Sequence, residues 1–128
     1  MTPDLLGQGA SWLEDQRHQH LTRSVTYRRA GDEVELAATI GRTVFEQDDH
    51  AGGLTRIESR DFLIRATDLV LAAETTLPQS GDRIHESDAI ATHIYEVMAP
   101  GTEPPWRYSD VNRATLRIHT KQVATEAL

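Results

Sequence analysis

Cysteine is absent from this 128-residue chain, which excludes a disulfide framework, a thiolate zinc site and a cysteine nucleophile. Aromatic residues make up only 5% of the chain, too few to favour a nucleic-acid groove in which exposed rings stack on bases. Long apolar runs are also missing, since the least polar stretch, residues 66–73, contains Asp68 and is far too short to span a bilayer. A secretory signal is not expected, because residues 1–10 have neither a basic start nor a continuous apolar segment.

Basic residues are outnumbered by acidic ones, 13 against 20, so the formal charge is −7 with neutral histidines. This balance argues against DNA or an anionic membrane as a tightly bound partner, because both require a basic surface. Lys121 is the single lysine, and the 12 arginines suit bidentate, partly buried ion pairs at protein contacts. The hydrophobic fraction of 38% is low for a compact monomer and indicates much surface loop or faces completed by a partner.

The N-terminal residues have the pattern of a short helix. Pro3 and Asp4 suit a first helical turn, and Ser11 with Glu14 forms a capping box. We therefore predict that residues 1–22 form a helical segment.

From residue 23 onward the apolar pattern changes to a period of two. The clearest predicted strand covers residues 33–40, followed by an extended segment at 43–46 and a polar loop from Gln47 to Gly53. Further strand signals recur about every ten residues, separated by turns such as Pro78–Asp82. Short strands at this spacing predict a mainly β fold, a small antiparallel β-barrel with long loops, as one domain over residues 23–128.

Two groups of side chains are candidate metal sites. The first consists of Asp48, Asp49 and His50. These residues lie together in a Gly-rich loop, a pattern that is also typical of a solvated loop tip. The second consists of His85, Asp88 and His93. They could converge across a hairpin, but no ligand motif such as H-E-x-x-H accompanies them, and ordinary polar strand positions explain them as well.

Nucleophilic catalysis has little support in the sequence. No serine lies in a G-x-S-x-G context, and Gly52–Gly53 has neither the spacing nor the setting of a phosphate-binding loop. The residues alone thus give little support for catalysis, and a small metal-dependent β-barrel enzyme is kept only as an alternative.

Four blocks of sequence carry a resemblance to a known family. They are Val25–Arg29 with Ala38–Arg42; Ser59–Ile64; Pro78–Ile84 followed by Tyr95–Val97; and Pro105–Asp110 with Leu116–Lys121. In this order they resemble the small neck proteins of tailed phages and prophages, the head–tail joining or head-closure ("stopper") proteins. The P-x-x-G-D-x-I turn followed by Y-E-V resembles phage neck and tail-completion proteins in general.

The resemblance implies a structural protein of the virion neck, with no catalytic centre and no cofactor, assembled in the host cytoplasm. Such proteins form a homo-oligomeric ring, a hexamer or a dodecamer, beneath the portal and its adaptor. The ring closes the DNA exit channel and offers a docking surface to the tail tube or the tail terminator. DNA would pass through the lumen without specific binding, and no membrane would be involved. A tail-completion or tail-terminator role is the alternative within the same class.

The polar loop is the expected counterpart of a family loop that orders during assembly. Its residues Asp48, Asp49 and His50 are therefore candidate contact residues. We expect the two carboxylates to face the channel, where an acidic lining would let DNA slide without binding it.

Other candidate contacts lie in two places along the chain. Arg60 with Asp61, and Arg107 with Asp110, are either ion pairs between subunits or ordinary exposed pairs worth about 0–1 kcal/mol each. Trp106, two residues before Tyr108, is either an interface anchor or a lid on the barrel.

Overall fold

A computed structural model describes residues 22–48 and 51–128. The predicted helical segment, residues 1–22, lies outside the described residues except for Thr22. The candidate residues Asp49 and His50 also lie outside them. The described residues form nine strands and a 3-10 turn at Ala66–Asp68, which confirms the mainly β class. The strands are β1 (Arg23–Arg29), β2 (Asp32–Asp48), β3 (Leu54–Arg65), β4 (Val70–Leu71), β5 (Glu74–Thr75), β6 (Arg83–Ser87), β7 (Ala91–Val97), β8 (Trp106–Tyr108) and β9 (Thr115–Ala127). Among these residues no helix is long and apolar enough to cross a membrane.

Antiparallel pairing joins six of the strands into a closed circuit. β2 pairs with β1 and β3, β1 pairs also with β6, β6 with β7, and β7 with β9. The circuit closes because β9 also pairs with β3, from Thr120 opposite Arg60 to Thr115 opposite Arg65. Short β8 extends the other edge of β9, and β4 with β5 forms a separate small hairpin.

The interior of the circuit is the hydrophobic core. The predicted alternation of β2 is confirmed, since Leu36 and Ala38 are buried and Val34 and Ile40 pack against the same core. The other strands contribute further buried side chains: Val25, Tyr27, Phe62, Ile64, Ile84, Tyr95, Val97, Leu116 and Ile118. Each large apolar side chain buried here stabilises the fold by about 1.5–3 kcal/mol.

One end of the circuit, which we call the closed end, is sealed by the turn Pro78–Asp82. The Asp82 carboxylate is buried and accepts hydrogen bonds from the Tyr27 hydroxyl and from the Arg29 guanidinium, whose Nη2 lies 2.8 Å from Oδ2. Gly81 has a φ of +95°, a left-handed conformation that favours glycine. The P-x-x-G-D turn is therefore built from a glycine that turns the chain and an aspartate that anchors it to β1.

The segment before this turn, residues 69–77, covers the same end of the circuit. Leu69 and Leu71 are buried and belong to the core. Arg29 donates to the Thr76 hydroxyl (3.0 Å) and to the Leu77 carbonyl (2.7 Å), which fixes the chain between β5 and the turn.

The opposite end, the open end, has strands that extend beyond the circuit. β2 and β3 stay paired out to Asp48 and Leu54, past Arg60, which makes the last β3–β9 pair. β9 leaves β3 after Thr120 and follows β7 as far as Ala127. We call residues 42–48 with 54–59 the hairpin arm, and the point where β3 and β9 separate the fork.

The predicted strand over residues 33–40 and the extended segment at 43–46 belong to one strand, and the predicted loop start at Gln47 is wrong. β2 is continuous from Asp32 to Asp48. A Cβ on Gly41 would lie 3.2 Å from Nη1 of Arg117, so the glycine leaves room for that guanidinium instead of ending the strand. The polar sequence of the arm reflects exposure of one of its faces and not loss of pairing.

Candidate assembly site

The hairpin arm places charged and apolar side chains in solvent beyond the core. Asp48 ends β2 and is exposed, and Leu54 at the start of β3 is 69% exposed. Arg42 and Glu58 form an exposed ion pair at 3.4 Å across the arm. An exposed hairpin of this kind is a candidate contact surface, and Asp48 is the predicted site residue that the structure locates on it.

The loop at residues 98–105 covers the outer face of the circuit near the arm. Both its ends are held opposite His119, which accepts the Met98 N–H (3.0 Å) and donates its own N–H to the Pro105 carbonyl (2.9 Å). Between them the loop reaches the arm, because residues 100–103 line one cavity with Phe45 and Gln47. β7 and β8 are thus one interrupted strand along β9, with the loop as an excursion from it.

A cluster of polar side chains is buried around Asp61. The Asp61 carboxylate is fully buried and accepts hydrogen bonds from Arg117 Nη1 (2.6 Å), Ser59 Oγ (2.6 Å) and the Thr43 hydroxyl. The His119 ring lies 2.9 Å from it through Nδ1, and the Phe45 ring packs edge-on against the histidine at 5.0 Å. Strands β2, β3 and β9 are therefore held together on their outer face by one carboxylate.

The environment of Asp61 favours its charged form. Burial raises the pKa of this carboxyl, but hydrogen bonds from His119, Ser59, Thr43 and Arg117 outweigh burial and lower the pKa to about 2. The carboxylate is therefore ionised at neutral pH and compensates the charge of Arg117.

Ser59, His119 and Asp61 are the residue types of a catalytic triad, but their geometry differs from one. Ser59 Oγ lies 3.4 Å from Nδ1 of His119, the same ring nitrogen that faces Asp61. In a triad the serine and the carboxylate contact different ring nitrogens. All three side chains are also almost completely buried, so this geometry supports a structural role.

Arg60 points to the opposite face of β3 from Asp61 and caps the core at the open end. Its Nη2 lies 2.9 Å from both oxygens of Glu86, which also accepts from Arg23 Nη1 at 3.2 Å. The guanidinium carbon lies 5.1 Å from the ring centroid of Tyr95, at cation–π distance. Arg60 and Asp61 thus each have ion-pair partners within the chain, and their part in contacts between subunits stays a prediction.

Strand β8 presents its residues alternately to the core and to solvent. Trp106 and Tyr108 are half-buried, pack against the core and contact each other edge-on at 5.1 Å. Arg107 between them is exposed. The aromatic pair therefore covers the side of the circuit, while its half-exposed rings stay available to a partner.

Asp110 shapes the turn between β8 and β9. Its carboxylate accepts the backbone N–H groups of Ala114 and Thr115, both at 3.0 Å. This contact accounts for the aspartate locally, and the predicted ion pair between Arg107 and Asp110 across subunits stays a prediction.

The second candidate metal group of the sequence, His85, Asp88 and His93, does not converge. His93 Nε2 lies 2.9 Å from Asp88 Oδ2, whereas His85 belongs to another groove, with Arg28, Arg83 and Glu126. Within residues 22–48 and 51–128 no three potential ligands are grouped for a metal. Hydrogen bonds from the Ile90 N–H, the His93 ring and the Ala91 N–H lower the pKa of Asp88 to about 2, as expected for a carboxylate that caps a turn.

The sequence model of a family described as phage head-tail joining protein matches residues 3–127. The chain belongs to this family. No curated protein matches it. Membership confirms the resemblance found in the four sequence blocks and implies a head–tail joining role in the virion neck.

Several residues that organise the structure were missed as candidates in the sequence. Glu86 holds Arg60 and Arg23 at the fork, and Arg117 with His119 completes the Asp61 cluster. The last two lie in the Leu116–Lys121 block that carries the family resemblance. The block therefore contained the signal, but its partners on β2 and β3 could not be inferred from it.

Proposed function

We propose that this protein is the head-closure component of the neck. It assembles as a ring, a hexamer or a dodecamer, beneath the portal and adaptor, closes the DNA exit channel, and offers its other face to the tail tube or tail terminator. The closed strand circuit serves as a small β-barrel that positions the contact surfaces, and the role is structural, not catalytic. Assembly takes place in the host cytoplasm.

The observation that carries this proposal is the hairpin arm. Residues 42–48 and 54–59 extend past the last β3–β9 pair. Thr43, Phe45 and Ser59 join the Asp61 cluster on the outer face, whereas most of the other arm residues are exposed. Strand pairing maintained beyond the core indicates selection for something other than folding of the single chain. In a ring, such arms can project into the channel or onto a neighbouring ring, as expected for a closure element.

The charge of the arm fits a lumen through which DNA passes. Its side chains include the carboxylates of Glu46, Asp48 and Glu58 against the guanidinium groups of Arg42 and Arg56. A lining without excess positive charge avoids the counterion release that makes proteins bind phosphates tightly. DNA is therefore a passing neighbour in this proposal and not a ligand.

The test is a shortened arm in complemented phage or prophage particles. Residues 48–54 are replaced by Asn-Gly, so that Gln47 and Thr55, which already pair, flank a tight two-residue hairpin and the register of the remaining strands is kept. The proposal predicts filled heads that lose their genome, detected as nuclease-sensitive DNA, and free tails seen by electron microscopy. Val111→Ser, an exposed change far from the arm, is the control and should leave particles normal.

The same experiment separates the proposal from a tail-terminator role. A tail terminator would leave heads that retain their DNA and tails of abnormal length. That result, or fully infectious particles from the shortened arm, would contradict head closure.

A further inference from the structure

The fork leaves two strand edges of the described chain without a neighbour. Residues 54–59 of β3 pair with β2 alone, and residues 121–127 of β9 pair with β7 alone. Open edges of this length present rows of backbone donors and acceptors that natural proteins usually cover. Neither edge contains a proline, the residue that most directly blocks pairing.

The direction of the backbone groups on β3 follows from its pairing with β9. His119 exchanges hydrogen bonds with Met98 and Pro105, so its N–H and C=O face β7 and β8. Thr120 therefore faces β3, where Arg60 is its partner. Along a strand the backbone N–H and C=O groups point alternately to one side and to the other, and the β2–β3 register has no shift. The N–H and C=O groups that point to the open side are therefore those of Leu54, Arg56 and Glu58.

The same reasoning identifies the open groups of β9. A bulge shifts the register, so that Tyr95 lies opposite Gln122 but Ile94 lies opposite Ala124. Leu128 donates its N–H to the Ile90 carbonyl, so even-numbered residues beyond the bulge face β7. Thr125 and Ala127 consequently direct their N–H and C=O groups to the open side.

The two edges complement each other in strand direction and in the chemistry of their side chains. They run antiparallel, as the paired parts of β3 and β9 do. Each edge carries an exposed apolar side chain, Leu54 (69% exposed) on β3 and Val123 (40% exposed) on β9. Arg56 has no ion-pair partner within the described part of the chain, and it would lie opposite the β9 edge, which carries Glu126. A groove of about 620 Å³, with Ile40, Tyr95 and Gln122 among its lining residues, opens where the edges separate.

We propose that the fork is the contact between copies of this chain, in which the β9 edge of one copy pairs with the β3 edge of the next. The contact continues the antiparallel ladder that stops at Arg60 and Thr120, with a strand from a second copy in place of the chain's own. Each copy supplies one edge and receives the other, so the contact is heterologous and closes into a ring when the rotation allows. This inference rests on the proposed ring but names the surface that forms it.

The absence of cysteine makes a direct cross-linking test available. Thr55→Cys and Thr125→Cys each introduce one thiol into the full chain, on the β3 edge and the β9 edge respectively. A short bismaleimide is added to assembled particles, or to the concentrated protein, containing either variant or a mixture of both. We expect covalent dimers to be several-fold more abundant in the mixture than with either variant alone.

Three results would overturn the inference. Equal dimer formation with one variant alone would indicate a symmetric contact of like edges. Assembled particles without any dimer in the mixture would indicate that the edges are covered by another segment of the same chain. Cross-linking to a different virion protein instead would make the fork a docking site for that protein.

A proline substitution tests the backbone contact itself. Arg56→Pro removes an N–H that faces the open side and donates no hydrogen bond to β2, so the fold should be retained, as thermal unfolding can check. Arg56→Ala removes the same side chain but keeps the N–H. We expect Arg56→Pro to lose ring assembly and the mixed cross-link, whereas Arg56→Ala, which loses only the side-chain contact with the edge that carries Glu126, should weaken them less. Assembly of the proline variant at the level of the alanine variant or above would overturn the inference.

These results can be told apart from failure of the proposed function. If arm shortening releases DNA while the mixed cross-link is absent, head closure stands and the fork contact falls. If the cross-link forms but heads retain DNA and tails have abnormal length, the contact stands and the protein belongs to the tail end. The cysteine result also decides the inference if the proline variant does not fold.

Discussion

The two ends of the strand circuit satisfy their polar groups in different ways. At the closed end, Asp82 is 5% exposed and its carboxylate bonds to Tyr27 and Arg29 of the same chain. At the open end, residues 54–59 and 121–127 pair on one side only within the described chain. The closed end therefore satisfies its polar groups within the chain, whereas at the open end these two segments have no strand partner on one side among the described residues.

The comparison predicts the largest stability loss for Asp82→Asn. The change removes the charge that compensates the half-buried Arg29 guanidinium and weakens the anchor of the turn, and we expect a loss of about 3 kcal/mol. Urea unfolding at neutral pH measures it. Glu33→Gln, which breaks the exposed pair with Arg28 near the same end, is the control and should cost less than about 1 kcal/mol. Equal losses from both variants would contradict the distinction between buried and exposed pairs at this end.

Asp61→Asn should have a somewhat smaller effect that depends on pH. The folded pKa of about 2 lies below the unfolded value of about 3.9, so charge-dependent stabilisation of about 2–3 kcal/mol is present above pH 4. It is lost as the pH falls from about 4 to about 2, because the folded carboxyl is then protonated as well. Unfolding free energies of wild type and variant should therefore differ at pH 7 and converge in acid. A difference that stays constant down to pH 2 would show that shape, and not charge, is what Asp61 contributes.

Substitution of an exposed apolar residue should affect assembly at the open end but not at the closed end, and should leave stability nearly unchanged at both. Leu54 at the open end is 69% exposed and Val111 at the closed end is 96% exposed, so serine at either position should change the unfolding free energy by less than about 0.5 kcal/mol. Ring assembly, measured by analytical ultracentrifugation, should weaken with Leu54→Ser and stay normal with Val111→Ser. The opposite order would assign the contact surface to the closed end.

The elements that could be predicted from the sequence are those with local signals. The β1–β2 hairpin follows from alternation around the turn at Ala30–Gly31, and Pro78–Asp82 was recognisable as a turn from its own residues. The function of that turn was not recognisable, because the partners of Asp82 lie 53 and 55 residues away, at Arg29 and Tyr27.

The candidate site was less predictable because burial depends on distant segments. Arg60 and Asp61 are neighbours of similar polarity in the sequence, yet they face opposite sides of β3 and differ completely in surroundings. Asp61 is buried on the face that the loop at 98–105 covers, and Arg60 meets Glu86 from β6. The open edges were equally hidden, since a strand pattern predicts pairing without showing which edge lacks a neighbour.

The loop at residues 98–105 has a consequence for how proteins of this kind diversify. Its entry and exit are both fastened to one residue, His119, through the backbone of Met98 and Pro105. Residues inserted or removed between those two bonds leave the register of β7 and β8 on β9 unchanged, and loop-closure entropy grows only slowly with length. The neck protein thus contains an insertion point at which evolution, or an engineer grafting a peptide, can alter what the surface recognises without rebuilding the scaffold.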